Sequence, residues 1–553
     1  MMYCKSLAYA IKQIGVSGTC LLLLFVSMLL CAGTASAKNT KSKPRPKGEK
    51  IVLRHADRVS YDQFKRPDVQ VFVGHVSFSH NGVQLYCDSA CFYQSTNSFE
   101  GFGHVRMIQG DTLSLRGKYI YYDGNSQIAQ ARRGVVLKHR KTTLYTDSLN
   151  YDRVYNEGYF FEGGKLVDGG NVLTSDWGQY ETTTRKALFN YNVKLVSKDY
   201  VLTSDTLRYD TRTKMARMTG PSNVVSGDTH IYSEKGNFNT VTKSVVLLDR
   251  SIIVNKDRQM VGDSVVYDKD TGVSEAFHNV IYHDKVNKNI LTGDYCYYNE
   301  RTGFALAHDK AEVRNYSQPD TLYLHADTFK VYTYNLKTDS VYRVLRGYYH
   351  VRSYRTDIQS VADSMSYNSS LRLLSMYGNP IAWSEKRQIL GEEIHAYFND
   401  STIDSIRVVN QALMVEQIDS VYYNQITSSE MRVFFQNKEM RECRAIGNVV
   451  VLYFPFDSDS TMTGMNHSET SLMRMFMENK KLQKIWTREI SGTFYPLAFT
   501  TKDNMYLGNF AWFDYMRPKD KDDIFVWRDK TAGTKLSKTV RRAVPFQSLK
   551  NIK

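Results

Sequence analysis

The sequence predicts an all-β protein, an elongated antiparallel roll of two sheets built from tandem hairpin repeats of about 29 residues. Three observations predict it. An acidic residue followed four places later by an aromatic recurs along the chain, short linkers of turn formers separate the copies, and a Gly-x-Val signature marks the second strand of each hairpin.

The first element, residues 1–37, reads as a cleavable signal peptide. Lys5 and Lys12 make a positive start, Cys20 to Cys31 is almost wholly apolar, and Ala35-Ser36-Ala37 supplies the small-x-small site cut after Ala37. The apolar run is shorter than the ~20 residues a membrane span needs. Export to the periplasm, with an association to the outer membrane, is the expectation. Removing Lys5 and Lys12 takes the formal net charge from +15 to +13, so the exported chain stays basic. An exported basic chain meets phosphorylated lipid, anionic membrane or acidic glycan rather than nucleic acid. Residues 38–67 form a basic linker, whose lysines suit a solvated, flexible segment.

Residues 68–315 carry the clearest repeats. Leu144-Tyr-Thr-Asp147-Ser-Leu-Asn-Tyr151-Asp152 is repeated as Leu202-Thr-Ser-Asp205-Thr-Leu-Arg-Tyr209-Asp210. The anchors are Asp88, Lys118, Asp147, Asp176, Asp205, Glu234, Asp263, Asp294, Asp327, Asp363, Glu393, Glu430 and Glu469, and from Lys118 to Asp263 every step is 29 residues. Twelve of the thirteen are acidic, eleven have Tyr or Phe at +4, and ten have Leu, Ile or Met at −3, which chance periodicity does not give. Linkers such as Asp123-Gly124-Asn125 and Lys269-Asp270-Thr271-Gly272 are too short for crossover helices, so consecutive strands must be antiparallel hairpins. Second strands run through Gly74-His75-Val76, Gly103-His104-Val105 and Gly447-Asn448-Val449, with His278-Asn279-Val280 as a variant.

Parity locates a bend. The aliphatic at −3 and the aromatic at +4 are seven apart, an odd number that puts them on opposite faces of a straight strand. A bulge or corner at the Ser/Thr-Asp-Ser/Thr segment re-aims one half, so that both face a common interior as the strand passes from one sheet to the next. The anchor acid then has a structural role at the corner, bonding local backbone N–H groups.

Residues 316–498 read as divergent copies of the same unit, with a kink or break expected near residues 310–330 at Pro319. Residues 499–553 have lost the register and are charged, with Phe510, Trp512, Phe513, Tyr515 and Trp527 among them; they read as a cap or docking tail.

Catalytic chemistry finds little purchase. Asp457-Ser-Asp459-Ser-Thr461 resembles the nucleophile motif of aspartate-based phosphatases, but it lies between two β-repeats with no α/β alternation around it. The thirteen His are scattered singly, which argues against a metal site. Cys87 and Cys91 sit four apart on one strand, ~13 Å when extended and beyond disulfide reach, and read as apolar fillers. The expectation is no catalytic residue, no metal and no cofactor. Two rivals share the exported, repetitive β-character: a structural scaffold or adhesin, and a β-helix glycan lyase. Against the lyase stand the hairpin linkers and the lack of an Asp/Lys/Arg cluster within one rung.

Repeats of the form Leu-x-Ser/Thr-Asp-Ser/Thr-Leu-x-Tyr-Asp followed by Ala-x-x-x-Gly-x-Val, behind a signal peptide, resemble the OstA/LptA family of lipopolysaccharide transport over roughly residues 68–495, best at 71–105 and 201–280. Lys118 in place of the acid and Val331 in place of the aromatic depart from the pattern. The resemblance implies an elongated antiparallel β-jellyroll, slightly open, that shields lipid A acyl chains between its sheets. It implies stacking by edge strands with other lipopolysaccharide transport components or head to tail with further copies. Fewer than sixty residues follow the last readable repeat, too few for a translocon barrel. On this reading the acyl chains meet the inward aliphatics Leu144, Leu173, Leu202, Ile231, Met260 and Leu291 of first strands, with Val76, Val105, Val193, Val224 and Val280 of second strands.

Overall fold

The computed structural model describes residues 49–530, apart from 400, 401, 438, 480, 502 and 503. The expected signal peptide (residues 1–37), residues 38–48 of the expected basic linker and residues 531–553 of the tail lie outside the described residues, while the rest of that linker holds two strands, Val52–His55 and Arg58–Tyr61, paired with Val69–His80 rather than a solvated, flexible segment. Within them, 37 strands join in one continuous hydrogen-bonded ladder whose recorded pairings are all antiparallel, and the helical segments are three short 3-10 turns. Alternating burial along the long strands of the first repeats, as in Val83–Tyr93 and Leu113–Asp123, is what a half-buried sheet requires.

Long strands cross from one sheet to the other through a corner, and the corner is a bulge of two residues against one. In the pair Val69–His80 and Val83–Tyr93 the register passes from Val73↔Ser89 to Val76↔Cys87, so Gly74 and His75 face Asp88 alone. The same count sets Tyr191 and Asn192 against Asp205, His278 and Asn279 against Asp294, and Tyr349 and His350 against Asp363. The bulged pairs have positive φ, which increases local twist and turns the strand. Several of the anchor acids also hold the bulge of the following strand: Asp88 lies 2.8 Å from His104 Nδ1, and Asn192 and Asn279 donate to Asp176 at 2.7 Å and Asp263 at 2.8 Å. The acid therefore bonds the bulge side chain more often than its own backbone. Gly103 combines φ +68° with a close approach, since a Cβ there would sit 2.2 Å from Asp88 Oδ2.

Past Asp363 the corner drifts from the sequence anchors. At Glu393 it falls on Gly391 and Glu392, with Asn410 Nδ2 bonded to Glu392, and at Glu430 and Glu469 it falls on Ser429 and Ser471. The aromatic rule misplaces these three because Tyr397 and Phe434 have moved to the outer face, while Ala396 and Val433 pack inward.

Register pairs connect the inward residues into rows that cross the ladder. One half of the roll, here the leucine sheet, carries Leu137↔Leu144↔Leu166↔Leu173↔Leu195↔Leu202↔Val224↔Ile231. The other, the tyrosine sheet, carries Tyr122↔Ala129↔Tyr151↔Gly158↔Tyr180↔Ala187↔Tyr209↔Ala216↔Phe238, alternating large and small. Each fully buried side chain of this size contributes ~1.5–3 kcal/mol. The ladder runs on through residues 310–330, where Glu312–Asn315 pairs with Leu322–His325. The apolar core passes from one cluster to a second between Val280 and Ala307.

The segment after the last repeat is a strap. Residues 504–530 run back along the outer face of the leucine sheet, where Met505, Ala511, Phe513, Met516 and Ile524 are buried. Phe513 and Met516 pack on Val361, Ile381, Trp383, Leu390, Leu413 and Val415. Two buried glutamines zip it down by imitating a strand's backbone. Gln425 donates to Met505 O (2.9 Å) and accepts from Leu507 N (2.9 Å), and Gln388 donates to Ala511 O (2.8 Å) and accepts from Phe513 N (2.8 Å). Further along, Arg517 Nε donates to Gln359 (2.7 Å), and Asp523 receives Arg528 and lies 3.5 Å from the fully buried Arg352.

Candidate functional site

The candidate site is the space between the two sheets, whose walls are the inward rows and whose mouth is the seam between opposite strand ends. Over the first repeats that seam is latched by polar side chains reaching from the turns of one sheet to those of the other. His80 Nδ1 lies 2.7 Å from the Tyr122 hydroxyl, and Arg153 donates to the same hydroxyl (2.6 Å) and to Asn81 O (2.8 Å). Gln109 donates to Asn156 (3.0 Å), and His139 lies 2.9 Å from the Tyr180 hydroxyl. Tyr209 donates to Asp168 (2.8 Å) and accepts from Asn171 (3.1 Å), while Lys214 reaches Asp168 at 2.5 Å. Lys243 pairs with Asp199. Asp168 is 3% exposed, so the acid of this latch is buried while Lys214, 31% exposed, reaches it from the rim.

Behind the latches the interior is sealed. Leu144, Leu173 and Leu202 are at most 1% exposed, and Val76, Val105, Val193 and Val224 are likewise buried. From Ile231 to Leu324 the row is less covered: Ile231, Met260 and Leu291 are only half-buried, and so are Ile253, Val313 and Leu324 between and beyond them. On the facing sheet Tyr267 is half-buried and Tyr298 is 44% exposed. Val280 stays buried at the corner, so the apex is packed while solvent reaches the rims. The eleven inward positions therefore divide into a sealed group and an open group. Sequence reasoning gives both the same pattern, because the latches come from turns of different repeats.

Burial lowers the pKa of both His80 and His139, as desolvation disfavours the charged ring. The unfolded chain binds these protons more readily than the folded one, so stability is present above the ordinary value of 6.5 and is lost as pH falls through the lowered values. Thermal melts between pH 8 and pH 5 are expected to show the melting temperature falling below about pH 6.5. A His80→Gln, His139→Gln double variant is expected to flatten that dependence, and an unchanged slope would remove the histidines from the seam's pH response.

The other sequence candidates resolve locally. Asp457 and Asp459 accept from Ser458 N (3.0 Å) and Thr461 N (2.9 Å) and serve a turn. Cys87, Cys91, Cys296 and Cys443 are free thiols, and burial pushes that of Cys87 up to about 12. Among the described residues no group of His, Cys, Asp and Glu is placed to hold a metal ion. A separate cavity of about 380 Å³ lies between the strap and the last strands, lined by Leu452, Met465, His467, Tyr495 and Tyr506.

Residues 48–205 match the family model of OstA-like protein. None of the curated proteins matches the chain. Among solved structures it is similar to the crystal structure of LptH from Pseudomonas aeruginosa, described as the LptA homologous periplasmic component of the conserved lipopolysaccharide transport device. That similarity has 14% identity over 25% of this chain and 81% of the other, with a TM-score of 0.14.

Proposed function

From the OstA-like match over residues 48–205 we infer that this protein handles lipopolysaccharide in the periplasm during outer-membrane assembly, as a carrier or bridge rather than an enzyme. Lipid A acyl chains lie between the leucine and tyrosine sheets. The observation that carries the reading is the change along the inward rows from sealed to open at Ile231, which leaves an apolar, solvent-reachable lining from there to Leu324. The matched segment coincides with the latched repeats, so in this chain it serves as a rigid stem and the lipid space lies beyond it.

Both ends of the ladder offer strand edges. Val52–His55 and Arg58–Tyr61 lie at one end, and Lys481–Pro496 at the other exposes Ile485, Trp486, Ile490 and Phe494. Open edges of this kind accept a further strand, which suits stacking on other lipopolysaccharide transport components or head to tail on a second copy.

Photo-crosslinking in cells separates this reading from a structural scaffold. A crosslinker at Ile231, Met260 or Leu291 is expected to capture lipopolysaccharide, and one at Leu144, Leu173 or Leu202 to capture none. No capture at any open position in a folded, expressed protein would move the assignment to the scaffold.

A further inference from the structure

The outer face of the tyrosine sheet carries a second pattern, visible only once the strands are in register. Arg407 pairs with Arg432, Arg432 with Arg444, and Arg444 with Arg474, so four arginines stand side by side on four adjacent strands. The row continues to Trp486 on the last strand and, in the other direction, through His395, Ser375 and Ser366 to Arg346 and Lys330. The neighbours of these arginines along each strand, Val408, Met431, Ala445 and Met473, pack into the core, which fixes the row on the outside. The four side chains are 36–45% exposed.

Like charges directly opposite one another destabilise a sheet, and a solvent face selected for stability alone alternates signs. Here only two carboxylates serve the four guanidiniums. Glu430 bridges Arg407 and Arg432, and Glu442 bridges Arg444 and Arg474. Each arginine has five N–H donors and each carboxylate about four acceptor sites, so every bridge holds its two arginines in place with donors to spare and one net positive charge. Aromatic rings fix the planes further: Arg444 lies 4.5 Å from the centre of Phe434, Arg474 lies 5.0 Å from Phe476, Arg346 lies 5.2 Å from Tyr332, and Lys330 lies 5.3 Å from Tyr348. The same row over the sealed repeats runs without charge through Tyr121, Gln130, Asn150, Tyr159, Gln179 and Leu188, and then carries a single arginine pair, Arg208 and Arg217, in place of four in succession.

We propose that this arginine row is a binding surface for an acidic polysaccharide. Strand spacing sets the cations about 4.8 Å apart along a line of about 14 Å, which suits a linear polymer bearing one anionic group per sugar, and the exposed indole of Trp486 continues the line as a platform for a sugar face. A bilayer fits less well: the cations form a line rather than a field, and Phe434 and Phe476 lie beneath guanidiniums instead of protruding. The surface is separate from the space between the sheets and does not depend on lipid binding there.

The test uses the mature protein and polygalacturonate, with neutral dextran as control, by isothermal titration calorimetry. Polygalacturonate is expected to bind with an affinity that weakens with salt, and dextran not to bind. Arg432→Gln with Arg474→Gln is expected to weaken binding at least ten-fold, since the bidentate pairs of Arg407 and Arg444 remain to hold the glutamates. Arg432→Lys with Arg474→Lys, which keeps the charge, is expected to retain most of it. Arg208→Gln with Arg217→Gln removes the same charge from paired positions further along the row and is expected to change nothing. Equal loss in both Gln pairs, no loss in either, or binding to phosphatidylglycerol vesicles without binding to polygalacturonate would overturn the proposal.

Discussion

Leu202→Asp is expected to destabilise the protein by on the order of 4 kcal/mol or more, while Met260→Asp costs far less. Leu202 is fully buried between Leu195 and Val224 behind the Asp168–Lys214 latch, so an aspartate there is an uncompensated buried charge. Met260 occupies the same inward row but is half-buried, and its replacement can keep water. Denaturant melts of the two variants measure the contrast. Equal, large losses would mean that the interior is as dry at Met260 as at Leu202 and would remove the open groove; equal, small losses would mean that the stem is not sealed.

Truncation after Thr501 is expected to have an effect of similar size in the other half. It uncovers Trp383, Leu390, Leu413, Val415 and Leu452, all at most 4% exposed, and leaves Gln388 and Gln425 without the backbone partners they bond in the strap. Loss of Met505, Phe513, Met516 and Ile524 from burial alone removes about 6 kcal/mol or more. The truncated protein should bind a hydrophobic dye such as ANS and be cleaved by protease within residues 340–495, with the sealed repeats left intact. A truncated protein with an unchanged melt and no dye binding would mean that the strap is dispensable.

The repeat, its hairpins and its corner were legible because each is written locally: an acid and an aromatic four residues apart, a bulge pair, a short turn. The odd spacing between Leu202 and Tyr209 was enough to require the bend that Tyr191 and Asn192 supply opposite Asp205. The signal failed where the register slipped by one or two residues, since Glu393 and Glu430 keep the acid-to-aromatic spacing after the corners have moved to Glu392 and Ser429. The division of the interior was hidden for a different reason. Arg153 reaches Asn81 across 72 residues, and nothing in either turn announces the partner. The strap was legible as aromatic and out of register, but the face it covers depends on buried amides such as Gln388, which in sequence look like solvent-facing polar residues.

The strap also bears on how such a chain reaches its fold. A ladder of hairpins can grow from any rung, each strand templating the next, and a slip of one residue would turn every side chain over at little cost in backbone hydrogen bonds. The strap's contacts span 80 to 171 residues, from Gln425 with Met505 to Arg352 with Asp523, so they are late, non-local contacts that close only after the strands beneath them exist. They also require Gln359, Gln388 and Gln425 to stand on the same outer face at once. A slipped strand would send its glutamine inward and leave the clasp unable to fasten, so the last segment to fold checks the alignment of those laid down before it.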